Sequence, residues 1–215
     1  MILTLPDVRG LSAQPTTVRR KLADIAERNG WSVDGMAALI AHESGLNPRA
    51  KNPDPRSSAS GFLQWTAAGS ASLGVTPPQI LEMDALEQLD LAERYWLGAS
   101  GGRPIGPRDW LVLGLGTGNV GGYRASLPDS AILYASGTQG ALMNPGLVDS
   151  SGNVTVGAAR SGIDRMLAGV GRIPIVDVTD GGQGTVAAAA GIEALIWIGI
   201  GVAVLLRLRN RKGRR

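Results

Sequence analysis

Glu43 is an acid on the apolar side of a short helix. Ser32 reads as the N-cap of that helix and Gly45 as its stop, so Met36, Ile40 and Glu43 share one stripe at i, i+4, i+7. Leu39 sits one turn before the acid. A carboxylate thus occupies a position where a core side chain is expected, at a helix C-terminus. Burial disfavours its charged form, and the negative end of the helix dipole disfavours it further. Both effects raise the pKa. A carboxylic acid that keeps its proton near neutral pH is what general-acid cleavage of a glycosidic bond requires. An acid at a helix end also commonly reaches water past the last turn, so the assignment depends on the residues that follow.

Composition narrows the chemistry. The 215 residues include no Cys, which excludes disulfides, thiolate metal sites and a Cys nucleophile. The single His, His42, is too little for a His-based metal site, so no metal is expected; no cofactor is expected either, because cleavage by proton transfer from an acid needs none. With 31 Gly and 12 Pro but one Phe and three Tyr, regular elements are short and often interrupted. Residues 207–215 hold six of the 21 Lys and Arg and no acid, leaving 15 basic against 18 acidic residues over 1–206, a net −3. The basicity belongs to a tail, and no nucleic-acid partner is expected.

The elements that must position Glu43 follow from the punctuation of the chain. Residues 1–15 form an N-terminal segment without the charge pattern of a signal peptide. A helix over Thr17 to Arg28 buries Val18, Leu22, Ile25 and Ala26 and ends at Asn29-Gly30. Residues 47–60 carry three prolines and form an irregular loop. Thr76-Pro77 opens a longer helix running through Tyr95 to about Leu97-Gly98, and a short helix carries Trp110, Leu111 and Leu113. Asp129 to Tyr134 and Thr155 to Leu167 look helical, whereas 136–154 and 171–185 read as loop and linker.

Three stretches resemble the soluble lytic transglycosylase family, the lysozyme-like enzymes that cut peptidoglycan. His42-Glu43-Ser44-Gly45-Leu46-Asn47-Pro48, with Ala50 and Asn52, is similar to its catalytic Glu-Ser motif. Ala59-Ser60-Gly61-Phe62-Leu63-Gln64-Trp65 is similar to its Gly-Leu-Met-Gln motif. Gly116-Thr117-Gly118-Asn119-Val120 with Tyr123 is similar to the end of its Ala-Tyr-Asn-Ala-Gly-Pro-Gly-Asn-Val segment, and Leu91 to Trp96 matches the helix between. The resemblance covers about residues 17–125. It implies a mainly α, lysozyme-like domain over 16–135, with Glu43 as the catalytic acid and base and substrate contacts from Ser44, Gly61, Phe62, Gln64, Asn119 and Tyr123. The implied partner is the glycan strand of peptidoglycan, cut between N-acetylmuramic acid and N-acetylglucosamine with a 1,6-anhydro product. Where the family has Tyr-Asn, this chain has Leu113-Gly114. The family's aromatic hydroxyl lies near the acid and helps orient it; Tyr95, Tyr123 or Ser44 is left to do so here.

Glycosidases that use two carboxylates hold them about 5–5.5 Å apart for retention or about 6.5–9.5 Å for inversion. A scheme in which the substrate's N-acetyl group stabilises the cationic centre needs one. Asp54, between Pro53 and Pro55, is the nearest second carboxylate and would favour a hydrolytic muramidase if it faced the cleft; its setting reads as a solvated turn. His42 points about 100° from Glu43 and reads as a surface or packing residue. Trp65 and Trp110 suit sugar stacking or core packing. A wall-binding protein without activity on the same fold is the competing class.

Beyond a Gly-rich extension and linker at 136–185, residues 186–206 are apolar apart from Glu193 and, at about 1.5 Å per residue, span about 31 Å as a helix. A single C-terminal transmembrane helix in a lipid bilayer is expected, with 207–215 as its cytoplasmic basic tail. An anchored enzyme without a secretion signal suggests a bacteriophage particle with an internal membrane, opening the wall for genome entry beside other virion proteins. A host cell envelope is the alternative setting.

Overall fold

Helix boundaries fall where capping chemistry places them. The protein is described over residues 4–54 and 57–175 by a computed structural model. Helix α1 (Thr16–Asn29) ends at Gly30, whose left-handed φ of 65° lets its amide reach the Ala26 and Glu27 carbonyls. Its buried face holds Val18, Leu22, Ile25 and Ala26, the predicted stripe. Helix α2 (Val33–Ser44) begins with Ser32 Oγ accepting the Gly35 N–H at 3.3 Å and stops at Gly45, φ 63°. Every residue from Gly35 to Ala41 in α2 is buried. A helix apolar on all sides belongs at the centre of a core, and α1, strand β1 (Thr4–Pro6) and helices α6 (Trp110–Leu115) and α8 (Val156–Leu167) all pack on it.

The helix predicted from Pro77 to about Leu97 is two helices. After α3 (Ala67–Ala71), α4 (Pro77–Glu82) stops at Met83, and α5 (Ala85–Ser100) starts afresh from Asp84. The Asp84 carboxylate accepts the Glu87 N–H at 2.8 Å while Glu87 accepts the Asp84 N–H at 2.7 Å. This reciprocal box satisfies donors that a continuous helix would have used internally, so the chain turns. Helix α6 (Trp110–Leu115) brings Trp110 against Trp31 and Trp96, with ring centroids 5.0–6.2 Å apart in edge-to-face geometry.

Two small antiparallel sheets complete the mainly helical fold. Strand β1 (Thr4–Pro6) pairs with β4 (Arg172–Pro174), drawing the N-terminal segment and part of the expected linker into the core, where Leu5, Val8 and Leu11 are buried. The Arg172 guanidinium clamps the pair by donating to the Thr4 carbonyl and to Asp34. Residues 132–134, expected as helix, form strand β2 (Ile132–Tyr134) against β3 (Val154–Thr155). Between them lies α7 (Gln139–Met143). Helix α8 (Val156–Leu167) starts at Thr155, which accepts the Ala158 N–H, and packs on α2 and α6.

The expected architecture ended in a membrane-spanning helix, and this is corrected. Among the described residues no helix is long and apolar enough to cross a membrane. The longest, α5, has 16 residues, about 24 Å against a hydrocarbon core of about 30 Å, and it carries Glu87, Asp90, Glu93 and Arg94. Residues 186–206 and the basic tail lie outside the described residues. The membrane-anchored localisation, and with it the particle or envelope setting and the lipid partner, rested on that helix and is withdrawn.

Candidate active site

The left-handed stop at Gly45 ends α2 one turn after Ile40, so Glu43 projects from its last turn beside the loop that follows. Gly45 and Leu46 both have positive φ, 63° and 56°, which turns the chain sharply away. The loop then folds back on itself. The Gly61 N–H donates to the Ala50 carbonyl at 2.8 Å, Asn52 to Ala59 at 3.0 Å, and Ser60 and Trp65 exchange both backbone bonds.

What fixes this loop against the helices is Gln88, a residue that the motifs do not include. Its side chain is fully buried. Its Nε2 donates to the Pro48 and Ile80 carbonyls, each at 2.8 Å, and its Oε1 accepts the Phe62 N–H at 2.9 Å. An amide presents donors and acceptor together, and here it spans the start of the loop, the end of α4 and the second motif. A polar residue on a capped helix otherwise reads as surface, so no pattern in the sequence singles it out.

The result is a cleft of about 160 Å³. Leu39 and Glu43 line it from α2, Leu63, Gln64 and Trp65 from the loop, Tyr95 and Trp96 from α5, and Gly114 from α6. Glu43 is the sole Asp or Glu among the lining residues. Its half-buried carboxyl has no hydrogen-bond or ion-pair partner among the described residues, and burial pushes its pKa up to about 7. The Tyr95 hydroxyl is pushed up as well, first by burial and then by the Glu43 and Tyr134 side chains.

The other predicted contacts fall in different places. Gln64 lines the cleft with φ 48°, uncommon for a non-glycine residue, and its Nε2 donates to the Gly61 carbonyl at 3.0 Å. Gly61 is needed for packing: at φ 74°, a Cβ would lie 2.6 Å from Ile80 Cγ2 and 2.7 Å from Gln88 Oε1. Phe62 is fully buried. Ser44 is buried and its hydroxyl donates to the Ile40 carbonyl at 3.1 Å, away from the acid. Asn119 Nδ2 donates to the Leu133 carbonyl at 2.6 Å, tying the turn at Gly118–Val120 to β2.

Tyr123 is 2 % exposed and belongs to a separate network. Its hydroxyl donates to Asp109 Oδ2 at 2.9 Å and accepts the Gly106 N–H at 2.9 Å, while Arg160 Nε donates to Asp109 Oδ1 at 2.6 Å. Leu113, where the resembling family has an aromatic hydroxyl, is buried. Of the three candidates for that hydroxyl, Tyr95 alone reaches the cleft. Asp54 sits in a turn closed by the Asn52 side chain and does not line it. Trp110 is core, whereas Trp65, 4 % exposed, forms part of the cleft wall.

No family model, curated protein or solved structure matches this chain.

Proposed function

We propose that this protein is a peptidoglycan lytic transglycosylase, with Glu43 as its single acid and base. The observation that carries the reading is the unpaired Glu43 carboxyl in a cleft without a second carboxylate. Among the described residues lining the cleft, a two-carboxylate hydrolase has no candidate for its water-activating base. A pKa of about 7 keeps roughly half of the acid protonated at neutral pH, the state that proton donation requires. The motif resemblance around Glu43 and Gln64 supplies the substrate class.

In this scheme the Glu43 proton passes to the glycosidic oxygen as the bond from the anomeric carbon to that oxygen breaks. The acetamido oxygen of the same sugar bonds to the anomeric carbon in its place. The Glu43 carboxylate then takes the proton of the C6 hydroxyl, whose oxygen displaces the acetamido oxygen and closes the 1,6-anhydro ring. Glu43 ends as it began, protonated. The apolar walls from Leu39, Leu63 and Trp65 limit competition by water for the cationic carbon.

A wall-binding protein without activity is the second reading, favoured by the buried Leu113 in place of an aromatic hydroxyl. Digestion of purified peptidoglycan by the wild type and by Glu43→Gln, read by mass spectrometry, separates the possibilities. Muropeptides with anhydro ends from the wild type alone are the expected result. Reducing ends would indicate hydrolysis, and no release by either protein would leave binding as the function.

A further inference from the structure

Residues 8–14 of the N-terminal segment grip the end of the helix that carries Glu43. Strand β1 packs on α2, and the buried Leu5, Val8 and Leu11 anchor the segment in the core. Two successive turns, closed by the Leu11 N–H on the Val8 carbonyl and the Gln14 N–H on the Leu11 carbonyl, fix its path. Gly10, at φ 85°, comes so close that a Cβ on it would lie 2.0 Å from the Gly45 carbonyl oxygen. The Arg9 guanidinium lies against Gly45, where a Cβ would meet its Nη2 at 2.9 Å. Gln14 Nε2 donates to the Leu46 carbonyl at 2.8 Å.

These contacts fall on the two residues that make the turn after α2. Gly45 takes its left-handed φ without steric cost, but Leu46, at φ 56°, does not. A left-handed leucine persists only where its surroundings over-determine it. Here its side chain is buried and its carbonyl is bonded by Gln14. The turn sets the two walls of the cleft against each other. Glu43 stands two residues before it. Four residues after Leu46, the Ala50 carbonyl accepts the Gly61 N–H at 2.8 Å and, at 3.4 Å, the side chain of the cleft-lining Gln64. An extended Leu46 would send the loop away from α2 in another direction and strip Glu43 of its cover by Leu63, Gln64 and Trp65.

We propose that Gln14 is a positioning residue for Glu43: by holding the Leu46 carbonyl it fixes the left-handed turn that keeps the acid beneath the loop. The catalytic consequence rests on the lytic transglycosylase reading, whereas the effect on Glu43 is measured without turnover. The ionisable groups around Glu43 are His42 on its own helix, with Arg9 acting on that imidazole, Tyr95 on α5 and Tyr134 on β2. Replacing the neutral Gln14 alters none of these charges. A change in the Glu43 titration therefore reports a change in its burial.

The test is an NMR titration of Glu43, with its side-chain carboxyl ¹³C-labelled, in the wild type and in Gln14→Met, which keeps the side chain's length and removes its donor. One half-buried hydrogen bond is too little to unfold the domain. In the folded variant water should reach the carboxyl, and its midpoint should fall by about half to one pH unit toward 4.5. Gly10→Ala, which forces the segment off the Gly45 carbonyl, should move the midpoint the same way. In turnover, kcat of Gln14→Met should fall about tenfold to a hundredfold. A bond that only stabilises the fold would lower the urea midpoint and leave the Glu43 titration unchanged, and that result overturns the proposal. A lowered Glu43 midpoint in Gln14→Met, with a wild type that releases no muropeptide, supports the role of Gln14 and counts against the transglycosylase reading. Anhydro muropeptides from the wild type with an unmoved midpoint do the reverse. A wild-type midpoint near 4.5 sinks both.

Discussion

Replacing Glu43 by Gln should make the protein more stable, by an amount that grows from about pH 4.5 upward and levels off above about pH 7. The carboxyl has an ordinary value of 4.5 and is pushed up to about 7 by burial. Below about pH 4.5 both the folded and the unfolded chain hold this proton, and Glu43 carries no penalty. As pH rises toward and through about 7, the unfolded chain has released its proton while the folded chain still holds it. Folding is therefore increasingly disfavoured, and the loss is complete above the folded value. At about 1.4 kcal/mol per pH unit the difference amounts to about 3 kcal/mol, an upper figure because water in the cleft screens part of it. Gln has nearly the same shape and no proton to lose. Urea unfolding of both proteins across the range from pH 4 to pH 8 measures the effect. The two midpoints should coincide in acid and separate by about 1.5 M at pH 8, for a slope of about 2 kcal/mol per M. A gap between the two proteins that stays constant across that range would refute the claim that Glu43 is held protonated by burial.

Two further substitutions test the frame around the cleft. Gln88→Leu leaves the Phe62 N–H and the Pro48 carbonyl without the Gln88 amide in a buried site and leaves the Ile80 carbonyl with the Met83 N–H alone, so urea unfolding should show a loss of about 2–6 kcal/mol. Arg160→Ala strands the buried Asp109 carboxylate and should cost about 3–5 kcal/mol, and replacing the pair together by Met and Leu should cost less than Arg160→Ala alone when the melting curves are compared.

The helices of this fold are legible because their ends are written in local chemistry. Ser32, Gly30, Gly45 and Thr155 act within four residues of themselves, and the structure places helix ends at each. The break at Asp84 was equally local, an Asp followed three residues later by Glu, but the apolar spacing running across it from Ile80 to Leu89 masked it. The sheets are another matter. Strands of two or three residues have no period to detect, and Thr4 finds Pro174 across the whole length of the domain. Residues 129–134 read as helix for the same reason: six residues cannot distinguish the two periods, and pairing with β3 decided for strand. In the site, Glu43 was visible as an acid in an apolar stripe, and Gln64 through its motif. Gln88 was invisible because its importance lies in three backbone groups from distant segments, none of which depends on side-chain identity.

Keeping an acid neutral at pH 7 places a demand on the rest of the domain: no cation can approach it, since an opposite charge within about 4–6 Å pulls a carboxyl pKa down by about 1–3 units. The elements bordering the cleft nevertheless carry ion pairs, and these are made away from it, two at the surface and one, Arg160–Asp109, in the interior. Lys21–Asp90 and Arg28–Glu93 join α1 to the face of α5 away from Tyr95's cleft, and Arg160–Asp109 joins α8 to the residues leading into α6. Two of these pairs tie a cleft-lining helix to its neighbour, and none lies on the cleft. The scaffold thus gains its electrostatic contacts where solvent or a partner satisfies them and leaves Glu43 among Leu39, Leu63 and Trp65. The absence of a partner that destabilises the folded state above pH 7 is the same absence that holds the proton for catalysis, so the two properties should be lost together in Glu43→Gln and cannot be improved independently at this position.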